Sequence, residues 1–142
     1  PIEHPLYAGW VIEFLSHKPF RDTPHLTVLH VIPFAQPVIP IGALLPNSWK
    51  KELQEGGDRL TKEVADKLTS LGYPVASVVE HGAPSSAIQK QISHLQPQVV
   101  LMGTPGRSPL RRLAQGSVSH STIHHASSSV LLIPEPHSPG PT

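Results

Sequence analysis

Cysteine is absent from the 142 residues. That removes disulfides and thiolate metal sites from consideration, and it leaves a cytoplasmic setting as the expectation. Charge is scarce too: Asp, Glu, Lys and Arg make up 15%, and 11 basic residues against 10 acidic ones leave a formal net charge of +1. So nearly neutral a chain gives no general electrostatic capture of nucleic acid or of an acidic membrane surface. The one basic doublet, Lys50-Lys51, is too short to make a local nucleic-acid patch. No apolar run approaches the roughly 20 residues of a membrane span. Pro1-Ile2-Glu3-His4 has no basic stretch leading into an apolar core, so it does not read as a signal peptide. The length is the commonest for one domain, and a chain of that size buries roughly two-thirds of its unfolded surface without help from a metal.

What is present is an alternation of helical and extended patterns. In residues 5–17, Tyr7, Trp10, Val11, Phe14 and Leu15 recur at three- and four-residue steps, which predicts a helix with one apolar face. Residues 25–32 are short, aliphatic and β-branched, and predict a strand closed by Pro33. Pro33, Pro37, Pro40 and Pro46 exclude a helix or central strand over 33–47, leaving a long loop. Ser48 reads as an N-cap for a helix over 49–71, with Leu53, Leu60, Val64, Leu68 and Leu71 as its inward stripe. Gly56-Gly57 lowers its propensity by about 1 kcal/mol per glycine and allows a kink or break. Gly72 caps it. A strand over 74–80, a turn at His81-Gly82-Ala83-Pro84, and a helix over 84–95 with Ala87, Ile88, Ile92 and Leu95 inward follow. A strand over 98–103, a helix over about 116–126 and a strand over 129–133 complete the pattern. Residues 1–134 read as one domain and 135–142 as a Pro-rich disordered tail. Regular alternation of this kind predicts an α/β fold, an open parallel sheet with helices on both faces.

Ligands of open α/β sheets bind beyond the carboxyl ends of the strands. The strand over 98–103 ends at Met102-Gly103, and Gly103-Thr104-Pro105-Gly106, nine further residues and Gly116-Ser117 follow. Glycines at 103 and 106 let backbone N–H groups approach an anion with no Cβ in the way. Gly116-Ser117 falls where a helix begins, and the free N–H groups and dipole of a helix start favour phosphate. Arg107, Arg111 and Arg112 add positive charge suited to bidentate contact. The spacing is neither a Walker A loop nor G-x-G-x-x-G. From the loop alone, an anion site and a set of ordinary turns both remain open.

The whole spacing, Gly103-x2-Gly106-x9-Gly116-Ser117, resembles the signature of the ATP-binding branch of the universal stress protein family. Val99-Val100-Leu101-Met102, Ser129-Val130-Leu131-Leu132-Ile133-Pro134, Leu26-Thr27-Val28-Leu29-His30-Val31-Ile32-Pro33 and His81-Gly82-Ala83-Pro84 are similar to the same family, so the resemblance covers residues 5 to 134. It implies a Rossmann-like fold of the adenine nucleotide α-hydrolase type, with ATP as the ligand, with or without Mg2+. It implies that Val31 contacts adenine, that Met102 flanks the site, that Gly103, Gly106, Gly116, Ser117 and Val118 hold ribose and phosphates, and that Arg107 lies beside the phosphates. It also implies a homodimer joined through Ser129–Ile133. The family begins with a strand ending in an Asp, at the centre of the sheet. No strand pattern precedes residue 5 here, and the expectation is that such a strand lies upstream.

Other residues carry weaker signals. His120 and His124 stand four apart on a predicted helix and can share a face, but no third metal ligand is placed by the sequence, so surface histidines are the expectation. His30 reads as packed within a strand. Glu52, Asp58, Glu63 and Asp66 read as a solvated helix face. No base, nucleophile or metal cluster points to an enzyme. The expectation is therefore a regulatory ATP-binding module of the stress response, with hydrolysis slow or absent. The alternative is a scaffold of the same fold that uses no nucleotide and serves dimerisation or partner binding.

Overall fold

The computed structural model describes residues 1–2, 4–33, 47–104 and 118–136. Helices and strands alternate as α1 (Pro5–Ser16), β1 (Leu26–Ile32), α2 (Asn47–Ser70), β2 (Val75–His81), α3 (Pro84–Leu95), β3 (Val99–Thr104), α4 (Val118–His125) and β4 (Ser129–Pro134). Local chemistry sets their ends. His4 caps α1 by accepting the Leu6 N–H on Nδ1, and Pro5 occupies the first turn, where a missing N–H costs nothing. Gly72 follows α2 with φ at +94°, the left-handed region that glycine enters freely.

All pairing among the described strands is parallel. β1 pairs with β2 from Leu26 opposite Val75 to Ile32 opposite His81, and β3 pairs with β4 from Val99 opposite Ser129 to Thr104 opposite Pro134. The ladder does not continue from β1 to β3, so the described strands form two pairs, β2-β1 and β3-β4. The pattern reading puts no strand before residue 5. The structure adds one rung there: the Ile2 N–H donates to the Leu29 carbonyl at 2.6 Å, in a parallel bridge opposite His30.

Helices cover both faces, and strand parity decides which face a side chain serves. Val28 joins Ala8, Leu15, Val64, Leu68 and Tyr73 in a core beneath α1 and α2, with Leu26 and Leu101 packed against it. Leu29, Val100 and Met102 join Ile88 and Ile92 in a second core on the α3 side, with Val31 and Val118 packed against it. The first core is pinned by a buried polar contact, the Tyr73 hydroxyl donating to the Leu15 carbonyl at 2.7 Å. His30, read as a packed residue, donates from Nδ1 to the Ile2 carbonyl at 2.8 Å.

Two expectations about the helices are corrected. The Gly56-Gly57 pair does not break α2, which runs unbroken from Asn47 to Ser70. Gly57 is buried instead, where an added Cβ would stand 2.9 Å from His30 Cδ2 and 3.1 Å from Ile32 Cδ1. Leu53 and Leu95, placed in the inward stripes, are each 45% exposed. The 24 residues of α2 span about 36 Å at helical rise, whereas the seven of β1 span about 23 Å. Gly57 already sits over the end of β1, so Leu53 overhangs the strands. Leu95 borders a cavity between β1 and β3.

Candidate functional site

The carboxyl ends of β1 and β3 lie on the same side of the molecule as the start of α4. β1 ends in Val31 and Ile32, β3 in Met102, Gly103 and Thr104, and α4 opens at Val118. Three sequence-predicted contacts come together here. Met102 is buried in the α3-side core, and half-buried Val31 and Val118 pack against that same core. They make an apolar pad at the strand ends, which is the kind of surface that takes one face of a planar base. Thr122 holds the first turn of α4 in place: it is fully buried, and its Oγ1 donates to the Val118 carbonyl at 2.8 Å.

Gly103 serves the opposite face. An added Cβ would stand 2.8 Å from Tyr7 Cβ and 2.9 Å from the Tyr7 carbonyl oxygen, so α1 approaches β3 as closely as it does only over a glycine. The sequence reading gave this residue to anion approach; the structure adds a packing requirement of its own. Gly106, Arg107, Gly116 and Ser117 lie outside the described residues, as do Arg111 and Arg112.

One neighbour was missed. Glu80 lies directly opposite Val31 in the β1–β2 register. Its carboxylate accepts from Gln91 Nε2 at 2.5 Å and pairs with Lys90 Nζ at 3.4 Å, so its charge is already matched before any ligand arrives. The signal in the sequence was an acidic residue at the end of a strand that otherwise reads as aliphatic. At the next position, exposed His81 bonds through Nε2 to Gln54 Oε1 at 2.6 Å, which ties the strand end to the overhanging turns of α2. The His120 and His124 rings meet edge-on with centroids 4.3 Å apart. Among the described residues no three His, Asp or Glu side chains are grouped to hold a metal. Nor is any described helix long and apolar enough to cross a membrane.

The cavity between β1 and β3 has a volume of about 780 Å³ and is lined mainly by aliphatic side chains, with Pro1 and Ile2 at its border.

Comparison with known proteins gives a consistent family. The Universal stress protein family profile matches residues 15–134. "Universal stress protein MJ0531" of Methanocaldococcus jannaschii is 27% identical over 112 residues, which are 77% of this chain and 62% of the relative. A Staphylococcus aureus protein named for the same family is 36% identical over 74 residues, 51% of this chain and 43% of the relative. The matched stretches thus span less than two-thirds of these curated relatives. Among solved structures, the hypothetical protein MJ0577 superposes with a TM-score of 0.72 at 21% identity, covering 94% of this chain and 91% of its own. A universal stress protein in complex with cAMP gives 0.62 at 14% identity, covering 95% and 94%. An Arabidopsis thaliana family member with AMP bound gives 0.62 at 19%, covering 92% and 80%. At these identities the structural likeness speaks to the fold.

Proposed function

The chain belongs to the universal stress protein family, and on that premise we propose that it binds an adenine nucleotide at the carboxyl ends of β1 and β3 and acts as a regulatory module. The observation that carries this reading is the packing of Val31, Met102 and Val118 in one apolar cluster, with Met102 and Val118 flanking the segment whose glycines are spaced for phosphate. Val31 takes the base, and Val118 stands beside the ribose and phosphates. Gly103, Gly106, Gly116 and Ser117 take ribose and phosphates through backbone N–H groups and the Ser117 hydroxyl, with Arg107 alongside. The complexes of two fold relatives with cAMP and AMP support an adenine ligand. ATP is the proposed nucleotide, and Mg2+, where present, is held by its phosphates. Among the described residues, Glu80 at the strand ends is engaged with Lys90 and Gln91. The proposal includes slow or absent hydrolysis, a role in stress response through partner contacts, and a cytoplasmic setting. It also includes a homodimer through Ser129–Ile133, supported by the 39% exposure of Leu131 on β4.

Calorimetric titration with ATP tests the reading, with Gly106→Asp as the control because a carboxylate there repels phosphate and crowds the loop. Saturable heat that disappears in the control supports it. No heat from a chain shown to be folded by circular dichroism overturns it and favours the same fold used as a scaffold without nucleotide.

A further inference from the structure

α4 turns one side inward and the other toward solvent. Val118, Thr122 and, just past the helix end, Ala126 stand four residues apart. Thr122 is fully buried, and Val118 and Ala126 pack against the α3-side core. Two residues further along an α-helix lies about 200° around its axis, so His120 and His124 fall on the outward side. His120 is half-buried and His124 is exposed. Their rings meet edge-on, with centroids 4.3 Å apart and planes inclined at 61°. His125 is turned elsewhere, donating from Nδ1 to the Ser121 carbonyl at 2.9 Å. On the flank toward α3, Gln89 Nε2 donates to that same carbonyl at 3.4 Å. The helix is thus anchored on its inner side and on its α3 flank, and a pair of imidazoles in contact stands on the side that faces out.

We propose that His120 and His124 together bind a late first-row divalent ion, of the class of Zn2+, Ni2+ and Cu2+. An imidazole has two ring nitrogens, and the ion needs one from each ring. Residues at i and i+4 are neighbours on a helix surface, the spacing that helical zinc motifs use for their two histidines. Tetrahedral zinc takes nitrogens at about 2.0–2.1 Å, which sets the two nitrogens roughly 3.3 Å apart. Rings already in contact reach that span by turning about χ2, a soft torsion in histidine. Water from the solvent side completes the coordination. Imidazole selects ions of this class over Mg2+ and Ca2+, which prefer oxygen ligands, so the site is separate from any Mg2+ carried by nucleotide phosphates. α4 has only eight residues, too few to hold a helix in isolation. An ion clasping His120 to His124 ties one turn to the next. It also adds positive charge toward the helix C-terminus, where the dipole favours it. Val118 opens the same helix, so the clasp steadies the part of the pad that α4 supplies. Nucleotide plays no part in the site, and the metal alone tests it.

The test titrates zinc chloride into the full chain and follows the histidine imidazole resonances by NMR. The chain has ten histidines, so variants assign the site. The resonances of His120 and His124 should move together at one affinity, and magnesium chloride at the same concentration should move neither. His124→Ala and His124→Gln each leave a single imidazole at an exposed position, and each should weaken Zn2+ binding by about tenfold or more, equivalent to about 1.4 kcal/mol. His125→Ala, next in sequence but on another side of the helix, should leave the affinity unchanged. At a free Zn2+ concentration about ten times Kd, amide exchange in α4 should slow by about tenfold. Binding that survives both His124 variants undiminished, or that falls as far with His125→Ala, overturns the proposal. So does an absence of movement in the two resonances at Zn2+ concentrations on the order of 1 mM. Binding seen only together with dimer formation also overturns it, since the pair within one chain is then insufficient.

Discussion

The two faces of the sheet are built from the same strands by alternate residues, yet they do different work. The face under α1 and α2 is closed: Val28, Val64, Leu68 and Tyr73 share one core, and the buried hydroxyls of Tyr73 and Thr61 are each bonded to a backbone carbonyl. The α3 face carries Leu29, Val100 and Met102 in its core, but its outer members, Val31 and Val118, stay half-buried at the strand ends. A shift of one residue along β1 or β3 thus moves a side chain from a packing role to the candidate binding pad. Gly103 and Met102 show it most sharply. They are adjacent in sequence, but Gly103 meets α1 whereas Met102 meets the pad.

The strongest way to break this comparison is Gly103→Ala. Its methyl would meet both Tyr7 Cβ and the Tyr7 carbonyl below 3 Å, and a backbone oxygen cannot swing aside as a side-chain tip can. Urea unfolding should show a loss of about 1–3 kcal/mol, the usual range for overpacking. A variant that keeps full stability while losing nucleotide affinity would return Gly103 to the binding face alone. Tyr73→Phe comes next. It removes the hydroxyl donor from the Leu15 carbonyl, which keeps the Lys18 N–H at 3.1 Å, and should cost about 0.5–1.5 kcal/mol by the same assay, with ATP affinity unchanged, because the change lies wholly on the closed face.

Val31→Ala sharpens the contrast from the other side. Removing two methyl carbons from a half-buried position should lower ATP affinity by about three- to tenfold in calorimetry, the equivalent of about 0.7–1.4 kcal/mol of lost apolar contact. Its stability cost should remain below that of Gly103→Ala. An unchanged affinity would show that the base does not rest on this pad.

Much of the architecture was legible because each element carries its own period. The helices over 84–95 and 5–17, and the strands over 25–32 and 98–103, agree with the structure to within a residue or two. Contacts distant in sequence were not legible. The glycine at 103 looks the same whether it frees a backbone for an anion or admits a helix 96 positions earlier, and only the Tyr7 contact separates the two. Glu80 drew no attention because its partners, Lys90 and Gln91, come from the following helix. Of the candidate site, Val31, Met102, Gly103 and Val118 can be placed, and the glycine and arginine positions from 105 to 117 lie outside the described residues.

Leu53 offers the smallest effect and the cleanest check on how far the closed face extends. Periodicity puts it in line with Leu60, Val64 and Leu68, and a seven-residue step on a helix returns to nearly the same side. By that argument alone Leu53→Gln should be as damaging as a core substitution, at about 2 kcal/mol or more. The geometry argues otherwise. Gly57 already lies over the end of β1, Gln54 reaches the last residue of β2, and Leu53 is beyond both, 45% exposed. Its replacement should change stability by no more than about 0.5 kcal/mol, as for surface sites. A loss near the core value would mean that the closed face continues past the strands and that residues beyond them complete it. A negligible loss would mean that a helical stripe can be read for direction from its period, while its depth depends on the length of the strands beneath it.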